Sequence, residues 1–150
     1  MFKILLAALL LAGPAFAVDT PGVSVPSVAE RLDSARTWIK AKEWRKALAE
    51  LQVAAREEPR NADVHNLLGY SYRKQGSPNL AKAIEHYLLA LRFDPRHKGA
   101  HEYIGEAYLM EKKPELAEKH LAELERICGN RSCEEYADLA KALADFRAGK

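Results

Sequence analysis

One pattern of small, aromatic and turn-forming residues occurs three times in this 150-residue chain, and it constrains the fold more than any other feature. In each copy a small residue stands three positions before an aromatic one. The small residues are Ala35, Gly69 and Gly105, so successive copies begin 34 and 36 residues apart. Pro59 and Pro95 separate the copies. A repeat of this length predicts stacked helical units that bury a common core.

A second alanine-based motif follows in each copy and indicates the partner helix of each unit. It places an alanine four positions before a large apolar residue, at Ala47-Leu51, Ala83-Tyr87 and Ala117-Leu121. Glycine inside a helix costs about 1 kcal/mol relative to alanine, so Gly69 and Gly105 predict close approach of a neighbouring helix. Trp38, Tyr72 and Tyr108 are expected to fill the remaining space.

Capping residues predict where several helices begin. Ser27 with Glu30 forms a capping box, and Asn61 is suited to cap the next unit. The middle copy has a turn two residues longer than its neighbours, in which Ser77 as N-cap and Pro78 as first helical residue are predicted. Pro114 is expected to open a helix in the same way.

The last segment predicts one further helix outside the repeats. Its apolar residues share one helical stripe: Tyr136, Leu139, Ala140, Leu143 and Phe146. Ser132 and Glu135 repeat the capping-box spacing. Terminal units of a helical stack need a polar outer face, so this segment is expected to close the stack as a seventh helix.

The three copies together resemble the tetratricopeptide repeat (TPR), whose pattern is W-x2-L-G-x2-Y…A-x3-F…P. The resemblance implies an all-α, right-handed α-solenoid of three helix-turn-helix units and a C-terminal capping helix. The expected units are residues 27–61, 62–97 and 98–131, followed by a capping helix and tail over 132–150. It also implies a protein-protein interaction adaptor or assembly factor without catalytic activity.

TPR proteins bind a partner peptide or helix in a concave groove formed by the first helix of each unit. Carried onto this chain, the resemblance implies these groove residues: Leu32, Arg36, Ile39, Lys40, Asp63, Asn66, Tyr70, Arg73, Lys74, Glu102, Glu106, Leu109 and Met110. Basic residues then dominate one end of the groove and acidic residues the other. The alternative is that these charged faces are only solvated.

One class of TPR domain clamps the C-terminal carboxylate of heat-shock chaperones with basic and amide side chains. The corresponding positions here hold Leu32, Arg36, Leu67, Gly99 and Tyr103, of which one is basic. The sequence therefore does not predict a receptor for chaperone tails.

The N-terminus has the pattern of an export signal. Lys3 precedes the apolar stretch 4–12, and Ala15-Phe16-Ala17 is a small-x-small cleavage site. Nine apolar residues are too few to span a bilayer, which takes roughly 20. We therefore expect a signal peptide over 1–17, cleavage after Ala17, a flexible leader over 18–26, and a periplasmic or secreted protein without stable membrane insertion.

Cys128 and Cys133 are the only two cysteines. In an exported protein such a pair predicts a disulfide that joins the last repeat to the closing helix. The alternative is a thiol-redox or metal-handling accessory protein that uses both cysteines. The spacing differs from the Cys-x2-Cys of thioredoxin-like sites.

The remaining composition excludes several functions. His97 and His101 have the four-residue spacing of a ligand pair, but no third ligand follows, so neither a metal site nor a cofactor is predicted. The net charge of +2 gives no basic face for nucleic acid. The expected partner is a protein or peptide, in the first instance another envelope protein, and end-to-end self-association is a further possibility.

Overall fold

A computed structural model describes residues 24–150 of the chain, and these residues form seven α-helices without a β-strand. The helices are α1 (Val28–Lys40), α2 (Trp44–Glu57), α3 (Ala62–Lys74), α4 (Leu80–Phe93), α5 (Lys98–Met110), α6 (Pro114–Cys128) and α7 (Glu134–Arg147). The predicted signal peptide and the leader up to residue 23 lie outside the described residues. None of the described helices is long and apolar enough to cross a membrane.

Consecutive helices form three hairpins that stack side by side, and α7 packs against both helices of the last hairpin. The core follows the stack as three neighbouring clusters. Leu51 and Leu68 lie at the centre of the first, Tyr87 and Ile104 of the second, and Leu124 and Leu139 of the third, and each is at most 1% exposed. The prediction of an all-α solenoid with a closing helix is confirmed.

Two glycines allow helices to approach closely, but they face different neighbours. A Cβ atom at Gly69 would lie 2.6 Å from the Tyr87 ring and 3.0 Å from the Ala83 carbonyl oxygen, both in the second helix of the same hairpin. A Cβ atom at Gly105 would lie 2.6 Å from Leu139 in α7. Gly105 belongs to the third repeat, but it allows α7 to pack closely against α5.

Several predicted helix starts are confirmed, and one is wrong. Ser27 and Glu30 form a full capping box, and the Asn61 side chain accepts a hydrogen bond from the backbone N–H of Val64 at 3.1 Å. Pro114 opens α6. Ser77 and Pro78, however, do not begin α4, because Asn79 is its N-cap and Leu80 its first residue.

The turn inside each hairpin explains the shifted start of α4. The backbone N–H groups of Glu43, Asn79 and Lys113 donate to the carbonyls of Trp38, Tyr72 and Tyr108 at 2.8 to 2.9 Å. Each hairpin is closed by an equivalent bond. The two additional residues of the middle turn therefore lie between Tyr72 and Asn79. The helix begins only after that residue.

The start of α7 also differs from prediction. Cys133 is the N-cap and forms no side-chain capping bond, whereas the Ser132 hydroxyl donates to Asn130 Oδ1 at 2.8 Å. Ser132 is therefore engaged within the turn and does not cap the helix. Gly129 ends α6 with a φ of +72°, a left-handed conformation that glycine adopts readily. The apolar stripe of α7 is confirmed, with Leu139 and Leu143 buried.

Candidate functional site

The first helices of the three hairpins, α1, α3 and α5, together form a face with an open concavity of about 390 Å³. We call it the aromatic pocket, and its lining residues are Arg36, Thr37, Ile39, Lys40, Leu67, Tyr70 and Tyr103. The rings of Tyr70 and Tyr103 have centroids 4.9 Å apart, and the Tyr70 ring lies 6.4 Å from that of Trp44. Both tyrosines are half-buried, so an aromatic wall remains open to a ligand.

Arg73 supports this wall from below. Its guanidinium lies 5.5 Å from the centroid of the Tyr70 ring and 5.4 Å from that of Tyr103. Nη1 is 2.5 Å from a Glu106 carboxylate oxygen, and Nε donates to the Tyr87 hydroxyl at 3.3 Å. Because Arg73 is only 6% exposed and is bonded to Glu106 and Tyr87, we infer that it holds the two tyrosines in place rather than contacting a partner directly.

Burial and neighbouring acids keep two groups of this region uncharged. Burial, and then the nearby Glu102 and Tyr70, raise the pKa of Tyr103 to about 12, further above neutral pH than that of an ordinary tyrosine. Burial, followed by the charges of Glu106 and Asp138, raises the pKa of Glu102 to about 8. Most Glu102 carboxyl groups are therefore protonated at pH 7.

A second concavity of about 350 Å³ lies further along the same face. We call it the closing pocket, since α7 forms one side of it. Its lining residues are Arg73, Lys74, Glu106, Leu109, Met110, Ala142, Asp145, Phe146 and Lys150. The ion pair between Arg73 and Glu106 therefore belongs to the lining of this second pocket.

The structure brings most of the predicted groove residues to this face, but not all of them are accessible. Arg36, Ile39, Lys40 and Tyr70 line the aromatic pocket, and Arg73, Lys74, Glu106, Leu109 and Met110 line the closing pocket. Asp63 lies at the start of α3, where its carboxylate accepts a hydrogen bond from His97 at 3.0 Å.

Five of the predicted groove residues are buried, contrary to expectation. Leu32, Asn66, Arg73, Glu102 and Leu109 are only 6 to 8% exposed. The first helices pack directly against one another, and α7 covers the flank of α5. Side chains on those flanks therefore lie between helices; Leu32, for example, belongs to the first core cluster.

Several lining residues were absent from the predicted groove. Leu67 and Tyr103 are 36 positions apart, at equivalent places of two repeats, so the repeat spacing was a usable signal for them. Ala142, Asp145, Phe146 and Lys150 belong to the segment after the repeats, for which the repeat pattern carries no information.

The sequence matches no family model and no curated protein, but solved structures resemble the fold closely. The first TPR domain of Spaghetti (RPAP3), bound to an HSP90 peptide, superposes with a TM-score of 0.70 at 16% identity, over 85% of this chain and 99% of that one. The type III secretion translocator chaperone SycD of Yersinia enterocolitica gives 0.69 at 15% identity, over 85% and 94%. A chain of the CopN-Scc3 complex gives 0.63 at 15% identity, over 89% and 82%.

The chain has the TPR fold. The three hairpins are its TPR units, and the face with the two pockets is formed by their first helices. The closing helix α7 lies after the last TPR and adds its own side chains to that face.

Two histidine pairs repeat in the second and third TPRs. His65 Nε2 lies 2.9 Å from the Pro59 carbonyl oxygen, which can only accept, so Nδ1 is left to accept from His86 Nδ1–H at 3.1 Å. His101 makes the same contacts with the Pro95 carbonyl and with His120, at 3.1 and 2.9 Å. These histidines pack between the two helices of each TPR.

The geometry of the pairs favours a shared proton over a metal ion. The ring centroids of His65 and His86 are 5.4 Å apart while the Nδ1 atoms are 3.1 Å apart, so the rings meet head-on through these nitrogens. A metal ion bonded to both nitrogens would need to lie between them at about 2 Å from each. The 3.1 Å between two nitrogens that point at each other does not leave this space. His97, the other candidate ligand, instead caps α5 and accepts from the Ala100 N–H.

Cys128 and Cys133 meet across the turn between α6 and α7. Their sulfur atoms are 2.08 Å apart, which is disulfide-bonding distance. Within residues 24–150, the two sulfurs and the Glu135 carboxylate form one group of three potential metal ligands, within 4.8 Å of one another. A disulfide has no thiolate to offer a metal, so the same residues could bind one only after reduction.

Proposed function

We propose that this protein is a non-enzymatic interaction adaptor that holds an extended peptide or a helix of another protein on its first-helix face. The observation that carries the proposal is the open pair Tyr70 and Tyr103 above a buried Arg73. Aromatic side chains with a polar tip are enriched where proteins bind each other. A rigidly supported aromatic wall costs little side-chain entropy when a ligand binds.

The structural neighbours support an interaction role of this class. Their names describe an HSP90-peptide complex, a translocator chaperone and a two-protein complex. With 15 to 16% identity, they support a role in binding proteins or peptides. The partner is inferred from the chemistry of this chain's own pockets.

Site-specific photo-crosslinking tests the proposal with two matched positions. Met110 in the closing pocket is 48% exposed, and Leu88 on α4 is 50% exposed, so both are accessible apolar side chains. A photo-crosslinking amino acid at Met110 or Lys40 is expected to trap the same partner in the native host, whereas the same label at Leu88 should not. Equal adducts from Leu88 would show that another face binds the partner.

We also propose that the protein is exported, that Cys128 and Cys133 form a structural disulfide, and that the partner is an envelope protein. The signal pattern of residues 1–17 and the 2.08 Å sulfur distance support this. Intact mass of the protein from the envelope fraction should correspond to a chain that begins at Val18 and lacks two hydrogens.

Two results would contradict the export proposal or its disulfide. Retention of Met1 would contradict cleavage after Ala17. Free thiols in protein isolated under non-reducing conditions would instead favour the redox or metal role of Cys128 and Cys133.

A further inference from the structure

Three acidic side chains at or near the closing pocket contribute little free negative charge. Glu106 is paired with Arg73 at 2.5 Å, and Asp145 with Lys141 at 2.6 Å. Glu102 is 8% exposed, and burial raises its pKa to about 8, which keeps it largely protonated at pH 7. The acidic end that the sequence predicted is therefore neutralised by internal contacts.

The basic side chains of the first-helix face have fewer acidic partners. In the part of the chain that the structure describes, no acidic oxygen lies within 4.0 Å of Lys40 or Lys74. Both lysines are exposed, and Lys74 Nζ lies 6.0 Å from the Tyr70 ring centroid. Arg36 is paired with Asp33, but its side chain remains 50% exposed.

The aromatic pocket has an apolar interior with exposed basic side chains near it. The interior is formed by Ile39, Leu67, Tyr70 and Tyr103, all partly buried. Lys40 lines the pocket at the end of α1. Lys74, at the end of α3, lines the closing pocket, and its Nζ lies 6.0 Å from the Tyr70 ring centroid. A ligand that fits both features needs an apolar group for the interior and anionic groups next to it.

We propose that the occupant of the aromatic pocket is an acidic peptide segment in which a bulky apolar residue is flanked by carboxylates. This inference rests on the adaptor function proposed above. The apolar side chain packs against Tyr70, Tyr103 and Leu67, and the flanking carboxylates reach Lys40 and Lys74. Charges at the edge of an interface remain partly hydrated, so they contribute orientation and association rate more than affinity.

An internal segment fits the pocket better than a free C-terminus. The nearest cation below the pocket is Arg73, which is buried and already engaged by Glu106 and Tyr87. A terminal carboxylate placed in the interior would therefore be desolvated without a free positive partner, which is costly. Nucleic acid fits less well, because it needs a broad array of basic side chains rather than a few around an apolar depression.

Fluorescence anisotropy with capped, labelled peptides tests this inference on the full chain from Val18. The first peptide carries a leucine between paired glutamates and has no free termini. In the second, lysines replace the glutamates, and in the third, serine replaces the leucine. We expect the first peptide to bind, the second not to bind detectably, and the third to bind at least about tenfold more weakly.

Matched charge reversals locate the binding site. Lys40→Glu is expected to weaken binding of the first peptide about tenfold, because one of the two cations near the pocket becomes an anion. Lys119→Glu makes the same charge change at an exposed position of α6 and should leave binding unchanged. Added salt should weaken binding to the unmodified protein. Circular dichroism confirms that each variant is folded.

The inference is overturned if the lysine peptide binds as tightly as the glutamate peptide, or if Lys40→Glu and Lys119→Glu have equal effects. It is also overturned if the glutamate peptide does not bind at all. In that case, a partner trapped from Met110 but not from Leu88 would leave the adaptor proposal intact, so the two failures are distinguishable.

Discussion

At the scale of single residues, Gly69 marks a helix crossing where even one methyl group lacks space. A Cβ atom there would meet the Tyr87 ring at 2.6 Å and a backbone oxygen at 3.0 Å. We expect Gly69→Ala to lower the free energy of unfolding by about 1–3 kcal/mol, although alanine is the better helix former. Urea unfolding followed by circular dichroism measures the change.

Gly76→Ala is the matched control for that substitution. Gly76 has no atom within 4 Å of the added Cβ and lies in the hairpin turn. The free energy of unfolding of the Gly76→Ala variant should remain unchanged or rise slightly, because alanine restricts the unfolded chain. Similar losses in both variants would contradict the crowding argument.

The histidine pairs should make stability depend on pH. Burial, and then the neighbouring His101 ring, lower the pKa of His120 from 6.5 to about 4. Between these values the unfolded chain binds more protons than the folded one, so the stability that neutral His120 provides is complete above about pH 6.5 and falls towards pH 4. Allowing for solvent screening, we expect a loss of about 1–2 kcal/mol.

His120→Gln isolates this effect, because an amide can still donate to His101 but does not titrate. The difference in unfolding free energy between variant and unmodified protein should therefore change between about pH 7 and pH 4.5. Glu102 acts in the opposite direction over part of this range, but it is present in both proteins and cancels in the difference. A difference that does not vary with pH would contradict the assignment.

At the scale of elements, α7 is coupled to the last TPR through Leu139 and Gly105. Leu139 is fully buried, and its methyl carbons lie 2.6 and 2.7 Å from the position of a Gly105 Cβ. Gly105→Ala and Leu139→Ala are each expected to be destabilising, the second by about 2–5 kcal/mol. In the double variant, the cavity left by Leu139 accommodates the added methyl group.

A double-mutant cycle measures this coupling. We expect the double variant to be at least about 0.5 kcal/mol more stable than the sum of the single effects predicts. Strict additivity, measured by thermal or urea unfolding, would mean that the two residues do not share one contact.

The sequence predicted these elements well where local chemistry decides them. Ser27, Asn61 and Pro114 act within one helical turn, and their roles follow from residue type and spacing. The start of α4 could not be read in this way. It depends on the bond from the Asn79 N–H to the Tyr72 carbonyl, which joins residues at the two ends of the hairpin turn.

The candidate site was predictable in its position but not in its accessibility. Repeat spacing places Arg36, Tyr70 and Met110 on one face, as the structure does. It does not show that Glu102 is buried or that the Arg73 guanidinium lies against two tyrosine rings. Those facts depend on how neighbouring helices pack, which a single repeat pattern does not encode.

At the scale of the whole molecule, the core is a series of neighbouring clusters rather than one centre. The first cluster is built from α1, α2 and α3, whereas the third is built from α5, α6 and α7. Stability in such a stack approximates a sum of unit and nearest-neighbour terms. A destabilising substitution in the cluster at one end should therefore increase local unfolding mainly at that end.

Leu51→Ala tests this behaviour, because Leu51 is fully buried in the first cluster and contributes nothing to the third. Removing a buried leucine costs about 2–5 kcal/mol. In native-state hydrogen exchange, amides of α1 and α2 should exchange roughly 30- to 5,000-fold faster, while those of α6 and α7 change little. Leu124→Ala is the mirror-image control in the third cluster and should reverse the pattern. Uniform acceleration along the chain in both variants would instead mean that the molecule opens as one cooperative unit, because damage at either end would then be felt equally at the other.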